Sequence, residues 1–205
     1  MNRQVVSGAI AAAVAGALLL GGCASSPAPT NAGTPAPTSA GQPAGSATQA
    51  AQEVKTLFAA LPEDGRLYYF TDSKLYFIYL NTEEVALRQT RIGAGPSGQT
   101  VVFGLSDADV KAKEPGLAER LYDGKIPADA KGFYGEVFKD GRFYVFDHYP
   151  DMKAFIEHGE VGLAITDIGA GPKGETLVWV LNNDSAKKGR PTARIEQFKA
   201  LRGMK

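Results

Sequence analysis

From residue 53 onward, short apolar runs alternate with polar breaks, and the spacing within each run predicts its element. Segments rich in Val, Phe and Tyr near residues 66–70, 74–79, 100–103, 133–138, 142–146 and 176–181 suit strands. Asp140 and Gly141 form the Asx-Gly pair of a two-residue hairpin, where positive φ is required, and Asp72-Ser73 is its poorer counterpart. Helical spacing aligns Val54, Leu57, Phe58 and Leu61 over 52–61. It aligns Met152, Phe155 and Ile156 behind Pro150, which suits a first helical turn. It also aligns Ile195, Phe198 and Leu201 over 192–202, with Gly203 placed to close that helix.

Two stretches of this pattern are near copies. Residues 84–103 recur at 160–179, an offset of 76, and share the phrase Ile-Gly-Ala-Gly-Pro at residues 92–96 and 168–172. Upstream, an offset of 68 aligns 70–78 with 138–146, which assigns about eight extra residues to the second copy near 149–156. Each copy then reads as strand, tight turn, strand, connection, strand, glycine turn, strand. The expected fold is α+β: an antiparallel sheet built from two tandem β-rich repeats, about 64–128 and 131–205, with pseudo-twofold symmetry and helices on one face. Two copies are too few for a solenoid or propeller.

The first 52 residues have a different character. Arg3, an apolar stretch over 5–20 and small residues before position 23 have the layout of a secretory signal over 1–22. Leu20, Gly21, Gly22 and Cys23 together resemble the lipobox of bacterial lipoproteins, a resemblance that implies cleavage before Cys23 and diacylglycerol on its thiol. At about 0.8 kcal/mol per buried CH₂, two or three acyl chains give lasting attachment. In the same resemblance Ala24, unlike an aspartate there, is compatible with export to the outer membrane, facing the periplasm, if the envelope is Gram-negative. Residues 24–52 are almost wholly Ala, Ser, Thr, Pro, Gly, Asn and Gln, too poor in apolar surface to offset their ordering entropy. With lipidated Cys23, residues 23–52 are expected to be a tether reaching roughly 30 Å as a coil. Residues 53–205 are the globular domain.

Charge narrows the partners. Lys plus Arg and Asp plus Glu both number 22, so the basic excess of a nucleic-acid binder is missing. One cysteine forms no disulfide framework, so an exported fold must stand on its core. Gly93, Gly95 and Gly98 fit GxGxxG, but both copies continue into β-branched, strand-like residues, whereas the dinucleotide fingerprint must open a helix. A hairpin turn explains the glycines, and neither a nucleotide nor any other cofactor is expected.

His148 and His158 flank the segment behind Pro150, with Asp147, Asp151, Glu157 and Glu160 nearby. If that segment is helical, the imidazoles sit some 12 Å or more apart, too far to share a metal. His148 remains the best general-base candidate. GxSxG and HExxH signatures are absent.

The leading expectation is a membrane-anchored, non-enzymatic binding or accessory module of the cell envelope. Its partner is an envelope protein or an unknown ligand, met by Tyr76, Tyr79 and Tyr144 on an exposed aromatic face and by the glycine turns at Gly95 and Gly171. The alternatives are a hydrolase or metal-dependent enzyme centred on His148, and a periplasmic inhibitor or immunity-type protein. The repeat is also similar to bacterial envelope proteins carrying the phrase IGAGPxGET, a resemblance that implies no activity.

Overall fold

The computed structural model describes residues 52–205. The signal segment, Cys23 and all of the tether except Gln52 lie outside the described residues. The remainder is α+β, with eight strands in one sheet and six helices. In chain order these are β1 (Thr56–Leu61), β2 (Arg66–Phe70), α1 (Ser73–Thr82), β3 (Arg88–Arg91), β4 (Thr100–Gly104), α2 (Asp107–Ala112), α3 (Leu117–Tyr122), β5 (Tyr134–Lys139), β6 (Arg142–Phe146), α4 (Tyr149–His158), β7 (Leu163–Asp167), β8 (Thr176–Leu181), α5 (Asn183–Lys187) and α6 (Thr192–Arg202).

The sheet runs β3-β4-β2-β1-β5-β6-β8-β7 and is mixed, which corrects the expectation of a purely antiparallel sheet. Hairpin neighbours are antiparallel, but β2 pairs with β4, β6 with β8 and β1 with β5 in parallel. The cause is α1. Residues 74–79, expected as a strand, are helical because Asp72 caps them: its carboxylate accepts the backbone N–H of Lys74 at 2.7 Å and of Leu75 at 3.3 Å. A helix there leaves β2 with no hairpin partner on that side, so its next neighbour is β4, reached through α1 and the edge strand β3.

Three further expectations are corrected. Residues 56–61 are the central strand β1, with Leu57 and Ala59 buried on one face and Phe58 and Ala60 on the other. A strand buried on both faces shows no alternation, so its spacing mimics a helix. The second half has no eight-residue insertion, since α1 and α4 each have ten residues and start 76 positions apart. Helices cover both faces of the sheet instead of one. Tyr76 and Tyr79 of α1 and Phe198 of α6 pack with Phe58, Phe70, Tyr134 and Trp179. On the other face, Ala118 and Leu121 of α3 and Met152, Phe155 and Ile156 of α4 pack with Leu57, Ala59, Val137 and Phe146.

Other elements stand where the spacing predicts them. Asp140 and Gly141 have φ of 50° and 68°, the positive pair that a two-residue hairpin needs. Helix α4 begins at Tyr149 with Pro150 in its first turn, and Gly203 ends α6 in the left-handed region at φ 64°.

Candidate binding surface

Both glycine turns join an edge strand to its inner neighbour, β3 to β4 and β7 to β8. In the first, the N–H of Gly95 donates to the Gln99 carbonyl at 2.9 Å, and that of Gly98 to the Gly95 carbonyl at 2.9 Å. The second repeats this with Gly171 to Glu175 at 2.9 Å and Gly174 to Gly171 at 3.1 Å. The side chains of Gln99 and Glu175 complete the turns by accepting the N–H of Ser97 at 2.8 Å and of Lys173 at 2.7 Å. A Cβ at Gly95 or Gly171 would lie 2.6 Å from those side-chain oxygens, so a larger residue there would displace the side chain that closes the turn. Both turns enter strands, so no helix N-terminus faces them.

The closed turns hold apolar groups in water. Ile92 is 89 % exposed and Ile168, 76 positions on, is 87 % exposed. Leu87 and Leu163, another pair at that offset, are also exposed. Each isoleucine borders a shallow concavity: about 620 Å³ with Tyr68, Arg88 and Val102 beside Ile92, and about 570 Å³ with Trp179, Ile195 and Met204 beside Ile168. Seven strand spacings of about 4.8 Å set the two edges roughly 34 Å apart. They are separate contact points.

The edges are braced by opposite charges. Arg91 on β3 pairs with Glu119 of α3 and, at 2.5 Å, with Asp123. That hydrogen-bonded guanidinium, helped by Lys125, holds the Asp123 carboxyl down at about 2. At the corresponding place in β7, Asp167 accepts from Arg190 at 2.5 Å and from the Trp179 indole at 2.8 Å. Burial pushes the Asp167 carboxyl up, and these two bonds outweigh it and leave it below the usual carboxylate range.

The structure relocates the expected aromatic face. Tyr76 and Tyr79 lie on α1 and are buried; Tyr76 stacks on Phe58 at 4.8 Å between ring centres, and Tyr79 on Tyr68 at 4.5 Å. Tyr144 is half-buried against Phe155 at 4.3 Å. Helix α1 turns Tyr76 and Tyr79 into the core that it covers, and α4 covers Tyr144 on β6.

His148 is the N-cap of α4, exposed, with Nδ1 3.1 Å from Asp151 Oδ2. Ser185 lies in the same surface depression, but its hydroxyl accepts the Asn182 N–H at 2.9 Å in the capping box of α5. An imidazole–carboxylate pair is therefore present, without a free nucleophile beside it or a wall that excludes water. His158 is at the other end of the ten-residue helix, about 15 Å away. Among the described residues, no three His, Cys, Asp or Glu side chains are grouped to hold a metal. Nor is any helix there long and apolar enough to cross a membrane.

The sequence reading missed Glu136 and Arg202. Glu136 of β5 is fully buried; its Oε1 pairs with Arg202 Nη2 and its Oε2 accepts the Tyr134 hydroxyl at 2.8 Å. Burial first, then the neighbouring carboxylate, pushes the Tyr134 and Tyr76 phenols well up, so both stay neutral. The available signal was a lone carboxylate in the apolar run 133–138. Comparison of the chain with protein-family models, curated proteins and solved structures returns no match.

Proposed function

We propose that this chain is a lipoprotein of the bacterial cell envelope, and that its folded domain is a non-enzymatic binding module working through the two glycine turns. The carrying observation is that Ile92 and Ile168 are almost fully exposed at matching places on two identically closed turns. A large aliphatic side chain held rigidly in water gains free energy only when something covers it, at about 25 cal/mol per Å².

The anchoring part rests on the lipobox at Leu20, Gly21, Gly22 and Cys23 and on the polar tether behind it.

We also infer that the two halves are copies related by a pseudo-twofold axis lying in the sheet, parallel to the strands, between β1 and β5. Supporting this are the parallel pairing of those strands and the exchange of faces: α1 and α6 cover one side, α4 and α3 the other. The binding surface is then duplicated with the fold.

A reading as an enzyme centred on His148 has less support, since its imidazole is solvated and the nearby hydroxyl is engaged. An inhibitor-type protein would use the same turns; loss of the captured partner's activity on binding identifies that case.

The test compares capture from detergent-solubilised envelope by the full chain and by an Ile92→Ser/Ile168→Ser variant. The expected result is a partner retained by the first and lost by the second, with stability unchanged within about 0.5 kcal/mol. Equal capture contradicts the surface, and a mature product with an unmodified Cys23 contradicts the anchor.

A further inference from the structure

The two outer edges of the sheet stand at matching places in the sequence and differ in charge. β3 reads Arg88-Gln89-Thr90-Arg91 where β7, 76 positions on, reads Ala164-Ile165-Thr166-Asp167. An edge strand presents unpaired N–H and C=O groups to any other strand, and charged side chains are a common guard against such pairing. Edge β3 has that guard: Arg88 donates to the Val85 carbonyl at 2.7 Å and keeps its charge at the edge. On β7 the one charge, Asp167, is already taken up by Arg190 at 2.5 Å and the Trp179 indole at 2.8 Å.

The unguarded edge is also open. Leu163, Ala164 and Thr166 are exposed, and from Val161 to Thr166 there is no charged residue and no proline. Among the described residues, the backbone of 163–167 hydrogen-bonds only within its pairing with β8. Side chains alternate along a strand, so Leu163 and Ile165 share one face. It is the face of Trp179, which lies opposite Ile165 in the register and in the same apolar cluster.

We propose that β7 pairs antiparallel with β7 of a second copy of this chain, joining two sheets edge to edge about a twofold axis. A strand that pairs with itself needs no opposite charge, and this edge offers no free charge by which to select a foreign strand. Centred on Ala164, the register sets Leu163 of each copy against Ile165 of the other, apolar against apolar, with a small residue at the axis.

The other pairings of the two edges fit less well. β3 on β3 brings arginines against arginines, and β3 on β7 is a head-to-tail contact that does not close. Pairing β7 on β7 closes with two copies and leaves an arginine-bearing β3 at both outer edges, which accounts for the difference in charge. Ile92 and Ile168 lie beyond the ends of β3 and β7, so this edge and the turn surface fail independently. A five-residue edge is small beside the roughly 1,200 Å² or more of stable interfaces, so the dimer separates on dilution.

Hydrogen exchange tests this on the full chain in detergent, with micelles in excess over chains, at about 5 and about 200 μM protein. Peptides covering 161–167 should exchange roughly threefold or more slowly at the higher concentration, and peptides covering 85–91 equally at both. Ala164→Arg installs the β3 residue at an exposed position and sets like charges across the axis. It should melt with the parent at the lower concentration and lose the added protection, whereas Ile92→Ser/Ile168→Ser should keep it. Exchange over 161–167 that is independent of concentration, equal protection of 85–91, or protection retained by Ala164→Arg would overturn the proposal. Protection of 161–167 that appears only when envelope extract is added would assign the edge to a foreign strand and overturn it too.

Discussion

The two faces of the sheet solve one packing problem with different chemistry. Around Ala59, Met152 and Ile126 the core is apolar, whereas around Glu136, Tyr76 and Arg202 it contains an ion pair, two phenols and three rings around a guanidinium. Helices cover both faces of the same strands, α1 and α6 one and α3 and α4 the other, and the cluster lies on one of them.

The sharpest way to break this comparison is to remove one charge. Arg202→Leu strands a buried carboxylate and should lower stability by about 3–5 kcal/mol, while Glu136→Ala/Arg202→Ile should recover most of that loss. Urea unfolding of both variants checks the pair, and a double variant as unstable as the single one would show the ion pair to be structural.

A second contrast lies at Gly104 and Val180, again 76 positions apart. A methyl group on Gly104 would run into the Phe70 ring, so Gly104→Ala should cost about 1–3 kcal/mol. Val180 is buried core, and Val180→Ala should cost about 2 kcal/mol through lost burial. Adding carbon harms one half and removing it harms the other, as denaturant midpoints can show.

The starts of α1 and α4 differ more mildly. Asp72 accepts two backbone N–H groups and His148 accepts none, so Asp72→Ala should cost about 0.5–2 kcal/mol and His148→Ala less than about 0.5 kcal/mol. Thermal melts of the two variants are the check.

The smallest expected effect concerns the braced edge at Asp123. Its carboxyl sits at about 2 in the folded protein against an ordinary 3.8, so its contribution is complete above about pH 4 and fades as pH falls toward 2. Asp123→Asn should remove that limb from a melting profile recorded from pH 5 to 2. An unchanged acid limb would mean that Arg91 does not brace the edge through it.

The glycine turns, the Asp140-Gly141 hairpin and the helices α4 and α6 were legible because each announces itself locally, through positive-φ residues or one apolar stripe. Strand β1 was not, since burial on both faces erases the alternation that marks a strand. Helix α1 was hidden by four β-favouring residues in a row, Tyr76 to Tyr79, and the Asp72 cap distinguishes it from a hairpin. Of the candidate surface, the turns were foreseen at Gly95 and Gly171, while Ile92 and Ile168 were passed over because exposure depends on where the sheet ends. Glu136 and Arg202, 66 residues apart, meet only through tertiary packing.

Photo-crosslinking in the intact envelope probes the central claim most directly, with a crosslinking residue placed in turn at positions 92 and 168 and, as a control, at the exposed Lys111 on α2. The account predicts one partner adduct common to 92 and 168 and none from 111. Adducts of equal yield from all three positions, or none from either turn, would contradict it.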